Sequence, residues 1–560
     1  MCHETLVSVF YGQAEALPDH VILMVKRDGI FRDVTFRELA ERVRALAAGM
    51  KLLGVGKGDR VAMVSENRQE FVEVDFATLT LGAISVAMHA PLTAAQVKAQ
   101  VNDCGARLLF LSTLAQRDKI QSVRSDMPTV EAVYAFEGYA ADGREVLDYQ
   151  ELLTKGRNAL DEDPRLLDES IDSVQPGDVA GIIYTSGTTG ESKGAMLTHS
   201  NYLSNMHGLA EIVPERIKDC PVTLAFLPQS HVFARTCDLY VGVMLARTLA
   251  IAESVEHLVA DIQAVKPHYM AAVPRVFEKI AGAARHLIGE GRPNALQELL
   301  GGRMQAMASG GAALAPDVIE FLNEQDIPVY QGYGLTETSP IITTNSEFCN
   351  KFGSAGKVVG EDVQIRIAED GEILTRGPHV MKGYWNNPKA TAEVIDAEGW
   401  FHTGDVGFVD EDGYLFITDR KKDIIVTAYG KNVAPQQIEA LLGFDPVIEQ
   451  AVVYGDGKKF LSALIVPNER AVMVGAERFG LAHLTYREIL ALPMTKDLLQ
   501  HRIDQALCNL ATHEQIKKFI IVPEPFKQED GHVTVTAKLR RRQVIESYRM
   551  ELEALYLEDV

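Results

Sequence analysis

Cysteine is scarce in this sequence. The six cysteines, at positions 2, 104, 220, 237, 349 and 508 of 560, show neither paired nor metal-site spacing. That excludes a disulfide framework and a cysteine-built zinc site, and the set reads as the reduced thiols of a cytoplasmic protein. Positive charge is short as well: 55 Lys and Arg against 77 Asp and Glu leave a formal net charge of -22. A general nucleic-acid binder needs basic stripes, and unassisted adhesion to anionic lipid needs similar charge, so neither class fits. No nucleic-acid partner is expected. Long apolar runs are missing: the longest, from Phe76 to Ala90, is interrupted by Thr78, Thr80, Gly82, Ser85 and His89. It is too short and too polar for a transmembrane segment and predicts a buried strand–helix element. Glu4 and the mixed residues after it break up any secretory h-region. A lipidic substrate stays compatible, taken from water, a carrier or a membrane surface, so peripheral membrane contact is left open. Internal repeats and low-complexity segments are absent.

What is present suits an ordinary globular protein, with 47% apolar and 24% charged residues. The chain is too long for one hydrophobic core, so two or more domains are expected. Across 35–53, Leu39, Val43, Leu46, Ala47 and Met50 recur at helical spacing, and Gly54 and Gly56 end the pattern. Strands are predicted at 60–64, 106–111, 130–133, 225–227, 270–273 and 329–331, and helices at 256–265 and 316–324. That rhythm predicts an α/β architecture with helices covering a largely parallel sheet, whose ligands sit beyond the strand C-terminal ends. Near 361 the pattern changes to short strands at 361–368, 371–376, 406–410 and 414–418, joined by Asp370-Gly371 and Asp412-Gly413 turns. This predicts a small antiparallel unit. The charged run Asp419-Arg420-Lys421-Lys422-Asp423 marks the main boundary, giving expected domains 1–420 and 421–560. Strands at 451–453 and 460–466 and a helix-rich tail follow.

The strongest chemical signal lies between 180 and 199. An apolar run, Ala180 to Tyr184, breaks into a loop of Thr185, Ser186, Gly187, Thr188, Thr189 and Gly190, with Lys193 close behind. Glycines allow close backbone approach, backbone N–H groups can nest around an anion, hydroxyls add donors and the lysine adds charge. A Walker A loop needs Gly-Lys followed by Ser or Thr; here Glu191 and Ser192 separate Gly190 from Lys193. The loop therefore reads as a different polyphosphate grip, with a turn-rich surface loop as the plainer alternative.

Further along, Tyr333 sits between Gly332 and Gly334, suited to stacking on a base, beside Thr336 and Glu337, whose oxygens suit Mg²⁺. A strand exit with an exposed tyrosine and carboxylate is the alternative there. Ser309-Gly310-Gly311-Ala312-Ala313 offers small residues for the wall of a base-sized slot. Asp405 follows Gly404 and precedes a predicted strand, where a carboxylate can accept both hydroxyls of a ribose. Trp400-Phe401 reads as packing, and His402 is given no role. In the tail, Lys538 lies between the alternating stretch 533–536 and Arg540-Arg541-Arg542. It is either part of a solvated charge run or a lysine that a mobile domain delivers to a phosphoryl or carboxylate group.

Taken in order, Thr185 to Gly190 with Lys193-Gly194, Gly332 to Glu337, Gly404-Asp405 and Asp419-Arg420 resemble the AMP-forming acyl-CoA synthetase and adenylate-forming ligase superfamily over nearly the whole chain. The resemblance implies an α/β fold: a large N-terminal domain of stacked α/β subdomains with a small antiparallel β unit, and a smaller mobile α+β C-terminal domain. It implies ATP at the 185–190 loop and Lys193, with Thr185 and Glu337 on the Mg²⁺ side. Gly311, Ala312 and Tyr333 resemble adenine contacts, with Gln331, Gly332, Gly334 and Thr336 in the same nucleotide-binding set. Asp405 and Arg420 would face the ribose, Lys422 would stand at the hinge, and Lys538 would be the adenylation lysine. Lys431 falls in the 430–435 loop that would enter the site for thiol transfer. Many members have proline where this chain has Ser192, which frees the turn and removes no catalytic group.

Leu227 to Arg235 resembles the Leu-Pro-x-x-His-x-x-x-Arg segment of long-chain fatty acyl-CoA synthetases. That places His231 near the substrate carboxylate or the acyl channel, against the alternative of a satisfied structural histidine. Lys538, His231, Thr185 and Glu337 form the implied catalytic set. The implied activity is ATP- and Mg²⁺-dependent conversion of a long-chain fatty acid to acyl-AMP and transfer to coenzyme A. Medium-chain or aromatic acids, a carrier-protein thiol as acceptor, and a non-catalytic nucleotide-binding module are the alternatives. A monomer or homodimer with fatty acid and CoA as its small-molecule partners is expected.

Overall fold

The computed structural model describes residues 4–137, 146–186, 192–218, 222–252, 257–527, 529–533 and 539–557. The chain packs as two compact units. One comprises Met1–Arg366, Leu374–Thr403 and Val409–Leu415; the other comprises Ile367–Ile373, Gly404–Phe408 and Phe416–Val560.

Two large mixed sheets build the first unit, in place of one largely parallel sheet. The nine-stranded sheet has the order Lys357–Val358, Ile341–Thr344, Val329–Gly334, Ala306–Ser309, Tyr269–Ala272, Val222–Ala225, Thr248–Ile251, Val21–Arg27, Ile30–Thr35. Its six central strands are parallel, and antiparallel strands close both ends. The eight-stranded sheet has the order Gly383–Tyr384, Ser192–Thr198, Val179–Ser186, Ile84–His89, Arg60–Ser65, Leu108–Leu111, Ala132–Ala135, Leu147–Asp148. There, Ser192–Thr198 is antiparallel to both of its neighbours, and the other pairs are parallel. One apolar core draws on both sheets, with Leu23 and Leu249 of the first beside Val61 and Leu108 of the second, and another packs helices against the nine-stranded sheet.

Local sequence explains the elements. The helix Phe36–Leu52 starts at a capping box: Thr35 accepts the Glu38 N–H while the Glu38 carboxylate accepts the Thr35 N–H. Leu39, Val43, Leu46, Ala47 and Met50 are all fully buried, as their spacing predicts. The helix crosses Tyr149–Glu162 so closely that a Cβ on Gly156 would lie 1.8 Å from the Ala45 carbonyl oxygen. The polar interruptions at 78–82 reflect a helix, Gln69–Thr80, followed by a strand, Ile84–His89, the reverse of the expected order. The strand read at 225–227 lies at Val222–Ala225, because a central parallel strand buries Thr223 as readily as an apolar neighbour.

The small sheet has the order Gln364–Ile367, Glu372–Arg376, Phe401–Val409, Leu415–Arg420. Gly371 and Gly413 adopt φ of 83° and 84° at its turns, which favours glycine there. In the second unit, Ile448–Tyr454 pairs antiparallel with Leu461–Pro467, which pairs parallel with Ile516–Ile521. Helices Pro435–Gly443 and Pro493–Ala506 contribute Leu442, Leu499 and Ile503 to its core, an α+β arrangement. Among the described residues, no helix is long and apolar enough to cross a membrane.

Candidate functional site

Thr185 and Lys193 are strand residues, where a loop was expected. The strand Val179–Ser186 runs through both Thr185 and Ser186, and the return strand begins at Ser192, with Thr185 opposite Lys193. Apolar content alone ended the predicted strand at Tyr184; the antiparallel ladder carries it further. Gly187, Thr188, Thr189 and Gly190 lie outside the described residues. The Thr185 hydroxyl donates to the Lys193 carbonyl at 3.5 Å. Gly194 is required by packing, since a Cβ there would meet Ile182 Cγ2 at 2.7 Å.

Lys193 leads to a residue the sequence reading did not single out. Its ammonium lies 5.1 Å from the centre of the Tyr384 ring. The Tyr384 hydroxyl donates to Glu337 Oε1 at 2.8 Å, and the Met381 N–H donates to the Glu337 carbonyl at 2.8 Å. Burial first, then the Glu337 charge and hydrogen bond, push the Tyr384 phenol far above its usual range, so it stays a donor. The available signal was weak: Gly383-Tyr384 forms a strand of only two residues, paired beside Ala195 and Met196.

The glycine bends are held by the protein itself. Gln331 is buried; its side-chain oxygen accepts the Leu314 N–H at 2.8 Å and its amide nitrogen donates to the Ser354 carbonyl at 3.3 Å. It therefore shapes the 310–314 bend, where Gly311 has φ 86° and Ala312 is exposed. Parallel pairing sets Ser309 beside Gln331. Gly332, Tyr333 and Gly334 end the strand Val329–Gly334, and Thr336 and Glu337 form a short 3₁₀ turn after it. A Cβ on Gly334 would lie 1.7 Å from the Pro340 carbonyl oxygen.

The segment 227–235 joins this group through Phe233, since a Cβ on Gly310 would stand 3.0 Å from Phe233 Cζ. His231 Nδ1 accepts the Phe233 N–H at 3.2 Å, and its ring stacks on His89 at 6.1 Å. Burial lowers His89 to about 4, so this imidazole is neutral near pH 7; its Nδ1 is 2.7 Å from Ser230 Oγ. Asn67 ties the loop down, donating to the Leu227 carbonyl at 2.8 Å and accepting the Gln229 N–H at 2.7 Å. His89 ends the strand Ile84–His89 and Asn67 follows its parallel neighbour Arg60–Ser65, so both sit at the same C-terminal end of the sheet. Topology, not a local motif, brings them to His231. Arg235 is turned away into a fully buried network with Asp75, Ser85 and Tyr240.

Asp405, Arg420 and Lys431 belong to the second unit. Asp405 lies inside the strand Phe401–Val409, not ahead of a strand. Its Oδ1 is 3.2 Å from Arg420 Nε. The Gly404 N–H donates to Glu372 Oε1 at 3.0 Å and the Gly404 carbonyl accepts the Lys421 N–H at 2.8 Å. Lys421 Nζ in turn contacts Glu372 at 2.8 Å and Asp370 at 2.5 Å. The backbone before Asp405 is thus braced on both sides. Lys431 closes an exposed turn whose Gly430 has φ 71°. Lys538 lies outside the described residues.

Residues 10–385 match the family described as AMP-binding enzyme, and residues 422–559 match the AMP-binding enzyme C-terminal domain. The chain is 34% identical to the long-chain-fatty-acid–CoA ligase FadD15 of Mycobacterium bovis, covering 99% of this chain and 97% of that protein. It is 28% identical to the peroxisomal long chain acyl-CoA synthetase 7 of Arabidopsis thaliana, covering 95% and 83%. Its fold is similar to that of the anthranilate CoA ligase AuaEII in complex with anthranoyl-AMP, with a TM-score of 0.80, 19% identity and 98% of each chain covered. A Mycobacterium tuberculosis fatty acyl CoA synthetase has a TM-score of 0.67 at 22% identity, covering 98% of this chain and 99% of that one. With both family matches in sequence order and most of the chain covered, this protein belongs to the AMP-binding enzyme family.

Proposed function

We propose that this chain is an ATP-dependent ligase that joins a long-chain fatty acid to coenzyme A through an acyl-adenylate. The observation that carries the reading is the contact series Thr185–Lys193–Tyr384–Glu337, which gathers two hydroxyls, an ammonium and a carboxylate from distant segments. Such a set suits a polyphosphate and its counter-ion. The long-chain assignment is supported by the 34% identity to a long-chain-fatty-acid–CoA ligase over 99% of the chain, and by the His231 segment.

A carboxylate is a poor acyl donor because oxide would have to leave. Attack of a carboxylate oxygen on the α-phosphorus of ATP forms acyl-AMP and breaks the bond to pyrophosphate. A thiol sulfur then attacks the acyl carbonyl and AMP departs. In this reading residues 185–190 and Lys193 hold the phosphates, and the 311–312 bend and Tyr333 flank adenine. Asp405 and Arg420 hold the ribose, and His231 stands at the acyl carboxyl end. Lys538 neutralises charge on the reacting phosphoryl group. Residues 421–560 form the mobile domain, with Lys422 as pivot and Lys431 on the loop that serves thiol transfer.

Thr185 and Glu337 fit a magnesium ion, since both offer the hard oxygen donors it prefers. Among the described residues, no group of three or more His, Cys, Asp or Glu is arranged to hold a metal ion. When bound, the ion supplies charge neutralisation at the phosphates.

The test is acid-dependent ATP–pyrophosphate exchange and acyl-CoA formation, measured with acetate, octanoate, palmitate and an aromatic acid. Palmitate is expected to give the highest specific activity. Preference for acetate or the aromatic acid overturns the long-chain assignment, and exchange without acyl-CoA moves the acceptor to a carrier-protein thiol.

A further inference from the structure

We infer that Tyr384 is a positioning residue of the nucleotide site, holding the Glu337 carboxylate with its hydroxyl and the Lys193 ammonium with its ring face. The inference rests on the functional reading above and adds to it a residue that no motif in the sequence marks.

Three observations carry it. First, the hydroxyl of a 7% exposed tyrosine donates to a carboxylate at 2.8 Å. A buried phenol needs an acceptor, and an ionised one makes the bond shorter and stronger than a neutral one. Second, the same ring lies 5.1 Å from Lys193 Nζ, within cation–π range. One rigid side chain therefore touches an acid and a base that are 144 positions apart in the sequence. Third, the main chain around Tyr384 is pinned to both partners. The Trp385 N–H donates to the Gly194 carbonyl at 2.7 Å, the Lys382 N–H to the Met196 carbonyl at 2.9 Å, and the Met381 N–H to the Glu337 carbonyl at 2.8 Å. The segment 381–385 acts as a bar between the lysine strand and the glutamate turn.

Burial and the adjacent carboxylate raise the phenol well above its usual range, so it acts as a hydrogen-bond donor. Its contribution is geometric. A carboxylate on a three-rotor side chain samples several directions; one fixed hydrogen bond removes most of them before nucleotide binds. A tyrosine that served packing alone would need any acceptor at this place, not the carboxylate, and would not be coupled to Glu337 in nucleotide binding.

Tyr384→Phe deletes the hydroxyl and keeps the ring. The experiment is a double-mutant cycle of wild type, Tyr384→Phe, Glu337→Ala and the double variant. Mg²⁺·ATP affinity is read by calorimetry, and palmitate-dependent ATP–pyrophosphate exchange is read in parallel. Thermal melts confirm that each variant is folded, and Tyr384→Leu serves as a second probe that also removes the ring. Tyr384→Phe is expected to weaken Mg²⁺·ATP about tenfold in the wild-type background, as for loss of one hydrogen bond to a charged group, and less than about twofold in the Glu337→Ala background. The KM for palmitate should stay within about twofold, because the acyl end is not touched. Equal losses in both backgrounds, or no loss in either, overturn the inference. Absence of palmitate-dependent exchange in the wild type overturns the functional reading instead, and the calorimetric cycle still decides the role of Tyr384.

Discussion

Asp75→Asn offers the sharpest test of how the acyl-side segment is held. The Asp75 carboxylate accepts from Arg235 Nη2, from Ser85 Oγ at 2.7 Å and from the Tyr240 hydroxyl at 2.7 Å. Arg235 also donates through Nε to the Tyr240 oxygen at 2.9 Å and through Nη2 to Ser85 Oγ at 2.6 Å. Both charged side chains are 0% exposed. Burial disfavours the guanidinium charge and the Asp75 carboxylate, the largest favourable influence, outweighs it, so the arginine stays charged. Replacing the carboxylate with an amide leaves that charge uncompensated and is expected to cost about 3–5 kcal/mol. That is a large share of the roughly 5–15 kcal/mol by which proteins are stable. Trp385 and Trp400 both lie in the first unit, so urea unfolding followed by tryptophan fluorescence reports this unit selectively. Ser85→Ala should cost less, about 1.5–3 kcal/mol, the range for a hydrogen bond to a charged group. The double variant Asp75→Leu with Arg235→Met should recover most of the loss, since apolar replacement of a whole buried pair is often neutral. If Asp75→Asn lies within about 1 kcal/mol of wild type, or if the double variant is no better than it, the reasoning about this pair is refuted.

Asp405→Ala is expected to weaken ATP binding by about 1.5–3 kcal/mol, the range for a hydrogen bond to a charged group, without lowering the melting temperature. Unchanged affinity by calorimetry in a folded variant would remove Asp405 from the site. Lys538→Ala should nearly abolish adenylate formation yet spare thiol transfer from supplied acyl-AMP; equal losses in the two half-reactions defeat that role. Asp238→Asn addresses a buried carboxyl whose oxygens have no hydrogen-bond partner and which burial raises to about 8. Between its ordinary 3.8 and about 8 the unfolded chain is ionised and the folded one is not, so this group lowers stability as pH rises through that window. Asp238→Asn should therefore gain stability over wild type from pH 4 to 8, by up to about 1.4 kcal/mol per pH unit, and a difference that is flat with pH speaks against it.

Much of the chain's organisation was legible in one dimension. Helical spacing marked Phe36–Leu52 and Pro316–Glu324, because their burial follows a 3.6-residue period. The Asp-Gly turns at 370–371 and 412–413 were legible because the left-handed φ of Gly371 and Gly413 leaves a chemical trace. Strand ends were less legible. Thr185, Ser186 and Lys193 looked like loop residues, yet an antiparallel partner satisfies their backbone. Asp405 likewise sits within a strand, because the ladder does not require apolar side chains. Gln331 was read as a nucleotide contact, and the structure engages its amide with Leu314 and Ser354.

The sequence by itself determined the family, the alternation of helices and strands, and the identities of the hydroxyl, glycine, lysine and carboxylate residues grouped in its motifs. Those are properties of short windows, where residue type and spacing carry the information. Only the tertiary structure decided that Tyr384 bridges Lys193 and Glu337, that His89 stacks on His231, and that Asp75 compensates Arg235. Each of these contacts joins segments brought together by sheet order and crossover connections. No local pattern encodes such a meeting, because it depends on which strands share an edge rather than on the residues beside each partner in the chain.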